Sequence, residues 1–212
     1  MDTLQALSLA MGAAWTSGIN LYATVAALGI AGRTEMIHLP PDLQVLTHPA
    51  VIAVACVMYL IEFFADKVPY VDNGWDLIHT FIRVPAGAIL AARTLGDVNP
   101  ALELAAVLAG GTIAFAAHGA KTVTRLAINT SPEPFSNWFA SIAEDLTVFG
   151  SIWLIFHHPI LMLSLIISFL ALVIWLIPKL IRLAKRGLLA LRDRLRGIKP
   201  DQPAPTGSPQ PG

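Results

Sequence analysis

The chain has 212 residues, 55% of them hydrophobic and only 13% charged, with 14 basic side chains against 14 acidic ones. A mean hydropathy of +0.65 is too apolar for a water-soluble fold of this size, so composition points to a polytopic integral membrane protein built as an all-α helical bundle. The single Cys56 excludes an intramolecular disulfide.

Met1 to Ala10 lacks a basic n-region and a small-residue cleavage site, so the first helix is expected to be retained. Leu4 to Ile30 has about the length a bilayer requires, and Gly12, Ser17, Gly18 and Asn20 near its middle predict close packing or a local break. Gly32 to Pro49, with Pro40, Pro41 and Pro49, cannot continue as one helix. Ala50 to Phe64 is a second apolar run, opened by Pro49 in a position suited to a first turn. Extended to Asp66, it sets Glu62 and Asp66 at i and i+4 on one face. Val68 to Gly74, with Pro69 and Asp72-Asn73-Gly74, reads as a tight connection.

Trp75 to Leu95 is a third helix whose Asp76, His79 and Arg83 form one polar stripe, with a kink or break expected around Pro85 and Gly87. Pro100 to Ile128 is a fourth, carrying Glu103 early and His118, Lys121 and Arg125 late at the same i, i+3, i+7 spacing. After a loop at Thr130 to Pro134, Ser136 opens a fifth helix on which Asn137, Ser141 and Glu144 share a face and Asp145 lies beside it. His157-His158-Pro159 turns the chain into the uninterrupted apolar span Ile160 to Pro178. Leu180 to Leu195 is basic and amphipathic, fit to lie on the anionic inner leaflet, and Pro200 to Gly212 has the composition of a disordered tail. The domain reading is a transmembrane part over 1–179, a basic cytoplasmic helix over 180–199 and a Pro-rich tail over 200–212.

Basic residues from Lys179 to Lys199 crowd the end of the chain, which the positive-inside rule assigns to the cytoplasm of an inner membrane. Six crossings with both termini cytoplasmic then also put Lys67, Lys121 and Arg125 inside. A 3+3 inverted repeat fits this count. His48-Pro49 and His158-Pro159 pair the helices differently, and a four-span arrangement with the third and fifth helices re-entrant stays open.

The stretch from Glu62 to Pro85 carries the functional signal, because an ionisable group at membrane depth costs roughly 2.5–3.5 kcal/mol on insertion scales and needs compensation. The candidate site residues are Glu62, Asp66, Asp72, Asp76, His79, Arg83, His118, Lys121, Asn137, Glu144 and Asp145. Structural pairs such as Asp76 with Arg83, or Lys121 with Glu144, are the plain alternative. The helices are expected to converge so that His79 and His118 come within reach of Glu144 or Asp145. Adjacent positions lie about 100° apart on a helix, so one of Glu144 and Asp145 is expected to pair with Lys121 while the other lines the polar site.

The segments LIEFFADKVPYVDNGWDLIHTFIRVPAGAILAA and HGAKTVTRLA followed by FSNWFASIAEDL resemble the two signature regions of an uncharacterised bacterial membrane family, domain of unknown function 4126, over roughly residues 8 to 175. Thr130-Ser131-Pro132-Glu133-Pro134 stands where the family pattern tends to a Thr/Gly-rich loop. The resemblance implies a membrane protein and no particular activity.

Two functional classes compete. One is a small transporter or channel with a buried site for a cation, proton or small polar solute. The other is a divalent-metal-dependent enzyme acting on lipid phosphates, with Asp66, Asp72 and Asp76 holding Mg²⁺. A purely structural membrane protein is the third reading. The pattern calls for no organic cofactor, its expected partners are the bilayer and anionic inner-leaflet lipids rather than nucleic acid, and an oligomer is open.

Overall fold

A computed structural model describes residues 1–96, 98–129 and 134–195. Six α-helices follow in order: α1 (Thr3–Arg33), α2 (Pro49–Ala65), α3 (Pro69–Leu95), α4 (Pro100–Asn129), α5 (Pro134–His157) and α6 (Pro159–Leu195), with a short 3-10 helix over Pro41–Thr47 between α1 and α2. The chain divides into two compact units, Met1–Leu170 and a second from Ala171 onward. In the second unit α6 runs on through Pro178, where the helix had been expected to stop; Arg182 Nε donates to the Pro178 carbonyl at 3.1 Å, and Lys179 Nζ lies 3.1 Å from the Trp175 ring centroid. The loop reading at 130–133, most of the amphipathic pattern beyond Leu180 and the tail at 200–212 fall outside the described residues or side chains.

Within the first unit, α1 is the element on which the others pack: it touches α2, α3, α4, α5 and the 3-10 helix, and almost every residue from Ser8 to Gly29 is buried. A helix hydrophobic or small all round has this fate. Its glycines set the approach distances. A Cβ at Gly18 would overlap the carbonyl oxygen of Ala114 on α4, and one at Gly87 of α3 would reach Ala114 Cβ and, at 2.8 Å, Ser17 Oγ. The small-residue contacts of α1, α3 and α4 therefore form one seam.

The decisive feature of α1 is its break. Asn20 has extended backbone angles (φ −148°, ψ 100°) between two helical halves. Met1, Gln5 and Ala6 from the start of α1 line the same cavity as Met36 to Pro41 beyond its end. A straight helix of 31 residues would hold those ends about 46 Å apart. Accordingly α1 folds back at Asn20 as a re-entrant hairpin, both ends lying beside Thr94 to Gly96 at the end of α3 and Phe156 and His157 at the end of α5. Two contacts trace the descent and return: Ser8 Oγ donates to Ile155 O at 3.4 Å, and a Cβ at Gly29 would overlap Leu46 O.

With α1 broken and α4 one continuous helix, a 3+3 inverted repeat is not borne out. The first apolar run does not extend end to end but folds back at Asn20. The reason is local: Asn20 supplies a cap that a continuous helix has no use for. Its Oδ1 accepts from Ala23 N at 2.9 Å, and its carbonyl accepts from Thr24 Oγ1 at 2.8 Å, so the second half starts with an N-cap of its own.

Among the described residues, three helices are long and apolar enough to cross a membrane (Pro100–Asn129, Phe135–His157 and Pro159–Lys179). A fourth is added if the Pro41–Thr47 and Pro49–Ala65 helices, which meet at 65°, count as one span. α3 misses that criterion because its charges count against it, yet those of its first half point inward: Asp72, Asp76, His79 and Arg83 are buried while Leu77, Ile78, Phe81, Ile82 and Ile89 are exposed, and only Arg93 near its end is turned outward, beside Asp42. Such a helix is inside out relative to a soluble one. Two sequence readings of α3 also change. Pro69 starts it, so Asp72-Asn73-Gly74 lies in its first turns rather than in a connection, and an acidic Asp72 suits the positive end of the helix dipole. The helix then runs through Pro85 to Leu95 unbroken.

Candidate functional site

The polar residues singled out in the sequence lie on the last turns of α2, the first half of α3, the last half of α4 and the first half of α5. Because α3 and α4 form an antiparallel pair joined by a few residues, the stripe Asp76, His79, Arg83 faces the stripe His118, Lys121, Arg125. Equal spacing along the two helices brings them into register.

Lys121 sits at the centre. Its Nζ is 3.3 Å from Glu62 Oε1, 3.3 Å from Asp66 Oδ2, 3.3 Å from Glu144 Oε2 and 3.8 Å from Asp76 Oδ1. Arg83, fully buried, bridges Glu62 Oε1 at 2.6 Å and Asp76 Oδ1 at 3.0 Å. Arg125 grips Glu144 in a fork, Nε to Oε1 at 2.9 Å and Nη2 to Oε2 at 2.7 Å, and also reaches Asp66 Oδ2 at 3.1 Å. Its remaining Nη1 donates to the backbone carbonyls of Asp66 and Asn137, each at 3.2 Å, tying α2 and α5 to α4. A planar guanidinium with five donors is suited to this junction in a way an ammonium is not.

Hydrogen-bond logic assigns the histidines. Arg83 Nη1 lies 3.0 Å from His118 Nδ1, and a guanidinium only donates, so that nitrogen is bare and His118 is neutral. Its Nε2–H then donates to Thr80 Oγ1 at 2.7 Å. His79 Nδ1 donates to Trp75 O at 2.7 Å, its ring stacks on Trp75, and its Nε2 is 3.0 Å from the hydroxyl of Tyr22 on the hairpin. Neither histidine meets Glu144 or Asp145, contrary to expectation. On α3, one helical turn separates His79 from Arg83, and it is Arg83 that takes the inward place beside His118.

Glu144 and Asp145 divide as their 100° separation requires. Glu144 joins Lys121 and Arg125, while Asp145 turns towards the hairpin, accepting from Tyr59 Oη at 3.0 Å and from Asn20 Nδ2 at 3.5 Å. Asp145 has no cation among its described hydrogen bonds and ion pairs; it faces instead the start of the second half of α1, whose dipole favours an anion. Asp72 accepts from Asn129 Nδ2 at 3.0 Å, and Lys67 lies over the Phe63 ring at 3.0 Å from its centroid with Nζ donating to Phe63 O at 2.8 Å.

The ion-paired set thus holds four carboxylates (Glu62, Asp66, Asp76, Glu144) against three cations (Arg83, Lys121, Arg125). It is one positive charge short. Glu62 Oε2, Asp66 Oδ1 and Asp72 Oδ1 are buried oxygens without a hydrogen-bond partner among the described residues. As for a metal, no group of three or more His, Cys, Asp or Glu side chains is arranged to hold one among the described residues. Of the carboxylates of the enzyme reading, Asp66 and Asp76 both lie against Lys121, while Asp72 accepts from Asn129.

All eleven sequence candidates lie in or beside this network, although Asn137 enters through its backbone carbonyl. Arg125 is not among the sequence candidates, although its place on the His118 and Lys121 face is a signal for it. Tyr22, Tyr59 and Thr80 had no signal, since an aromatic or a threonine in an apolar run reads as packing.

The chain belongs to the family described as domain of unknown function 4126, whose model matches residues 7–179. No curated protein and no solved structure matches it.

Proposed function

We propose that this member of the domain of unknown function 4126 family is a small membrane transporter in which the buried ion network, capped by the α1 hairpin, binds and releases a cation or proton. The observation that carries the reading is the charge deficit: a set of four carboxylates and three cations, shut away from water, calls for one more positive charge. A broken helix dipping to the polar centre is the second support, for non-helical backbone at membrane depth is tolerated where it meets protein or a cavity and recurs at transport sites. Asp145 is the carrier in this reading. Glu144 is engaged by two cations, whereas Asp145 stands at the hairpin apex with only neutral donors.

In this reading α2 to α6 make five crossings and α1 enters and leaves from the outer face. The apolar exterior of α3 supports its membrane placement, and the basic residues that follow the apolar stretch of α6, together with Lys67 in the α2 to α3 turn, favour an inner-membrane orientation with that end in the cytoplasm. Anionic inner-leaflet lipids are the proposed partners of the basic segment.

The test is flux in proteoliposomes under a pH or cation gradient. Asp145→Asn, which keeps volume and hydrogen bonding, is expected to leave the protein folded and abolish coupled flux. Wild-type flux in Asp145→Asn would overturn the assignment of Asp145. Turnover of lipid phosphates that requires Mg²⁺, with no flux, would replace the transporter by the enzyme.

A further inference from the structure

Tyr59 and Phe63 on α2, and Lys67 just past its end, follow one another at four-residue intervals and face Asp145 and Ser141, themselves four residues apart on α5. Tyr59 Oη donates to Asp145 at 3.0 Å and Lys67 Nζ lies 3.5 Å from Ser141 Oγ, so the ammonium and the Asp145 carboxylate are about one helical turn apart along one seam. Neither is paired with an opposite charge among the described residues. Lys67 Nζ donates to Phe63 O at 2.8 Å, lies 3.0 Å from the centroid of the Phe63 ring and 5.1 Å from that of Trp138. Asp145 holds only the neutral donors of Tyr59 and Asn20. The other charges that bear on the two are committed elsewhere. Asp66 and Arg125, which act on Lys67, are bonded to each other at 3.1 Å, and Asp66 also holds Lys121. Of the groups that act on Asp145, Glu144 is held by Arg125, and Lys121 is shared among four carboxylates. One ammonium and one carboxylate are left over, a turn apart.

We propose that Lys67 is the displacing countercharge of Asp145: its ammonium leaves the Phe63 ring and closes on the carboxylate as the site empties, and returns to the ring when a proton or cation is taken up. The flexible four-carbon stem of a lysine permits the swing. The ring and a backbone carbonyl form a neutral resting place, and a bare carboxylate in apolar surroundings attracts the ammonium more strongly than a ring face does, so the load on Asp145 decides where Lys67 lies. One charge replaces one charge. The cargo is accordingly a proton or a monovalent cation, because a divalent ion would need a second displacing group. This inference rests on the transporter reading of Asp145 and names the residue that drives release.

Trp138 emission reads the swing, since withdrawal of Lys67 removes an ammonium from beside its indole ring. In the full chain in lipid nanodiscs, the Trp138 signal, taken as the difference from Trp138→Phe, is expected to change with pH. The change should vanish in Asp145→Asn and in Lys67→Met. A wild-type signal constant with pH, or one that still changes in Asp145→Asn, would overturn the proposal. In proteoliposomes, Lys67→Met should lower maximal flux roughly tenfold while the half-saturating cargo concentration falls, because release is impaired and uptake is not. Flux that depends on Asp145, with a Trp138 signal indifferent to Lys67, would refute the exchange and leave the transporter reading standing. A pH-dependent Trp138 signal that needs both residues, in a protein without flux, would uphold the exchange and refute transport.

Discussion

Lys121 shows how a charge survives where a charge should not be. Its Nζ lies within 4 Å of four carboxylates carried by α2, α3 and α5, so its positive charge is the shared countercharge of three helices. Removing one partner of a buried pair leaves the others uncompensated, which typically costs about 3–5 kcal/mol. Lys121→Met is therefore expected to lower thermal stability in detergent by that order. The double variant with Glu62→Gln should recover part of the loss, since it removes one of the stranded carboxylates, and a double-mutant cycle on unfolding midpoints reads the coupling directly. Strictly additive losses would show that Lys121 and Glu62 do not share the network as their 3.3 Å contact implies.

The element that gives the bundle its organisation is the α1 hairpin. Asn20 holds it twice, through the Ala23 N–H within the turn and through Asp145 across to α5. Loss of an N-cap costs about 1 kcal/mol, so Asn20→Ala should reduce stability by roughly that amount, while Asn20→Ser should retain most of it by keeping a capping oxygen. Calorimetry or thermal unfolding of the two variants decides it. The descent also depends on the small-residue seam. Gly87→Leu would thrust a side chain into Ala114 and Ser17, and is expected to abolish the monodisperse folded species on size-exclusion chromatography.

At the scale of the molecule, the hairpin changes which end of the bundle holds the N-terminus. Both ends of α1 lie with the ends of α3 and α5, whereas the α2 to α3 turn lies at the opposite end, beyond the ion network. In a Cys56→Ser background, Asp2→Cys and Val68→Cys should label from opposite sides of the membrane with an impermeant maleimide. Labelling of both from one side would reject the re-entrant hairpin and restore an end-to-end α1.

What composition and periodicity determined on their own was the helical membrane class, the place of six helices apart from the start of α3 and the end of α6, and the faces of α3 and α4 that carry charge. These follow from local rules: apolar length, helical spacing, and prolines that open helices at Pro49 and Pro100. Spacing also separated Glu144 from Asp145 and foresaw the pairs of Asp76 with Arg83 and Lys121 with Glu144. The hairpin was decided by tertiary structure, because an apolar run with a central Gly-Ile-Asn reads alike whether it crosses or returns. Only the packing of both halves against α3, α4 and α5 distinguishes the two. The same holds for the choice of Arg83 over His79 as the partner of His118, and for Tyr22 and Tyr59, whose hydroxyls have a role only once another helix presents a partner across the bundle.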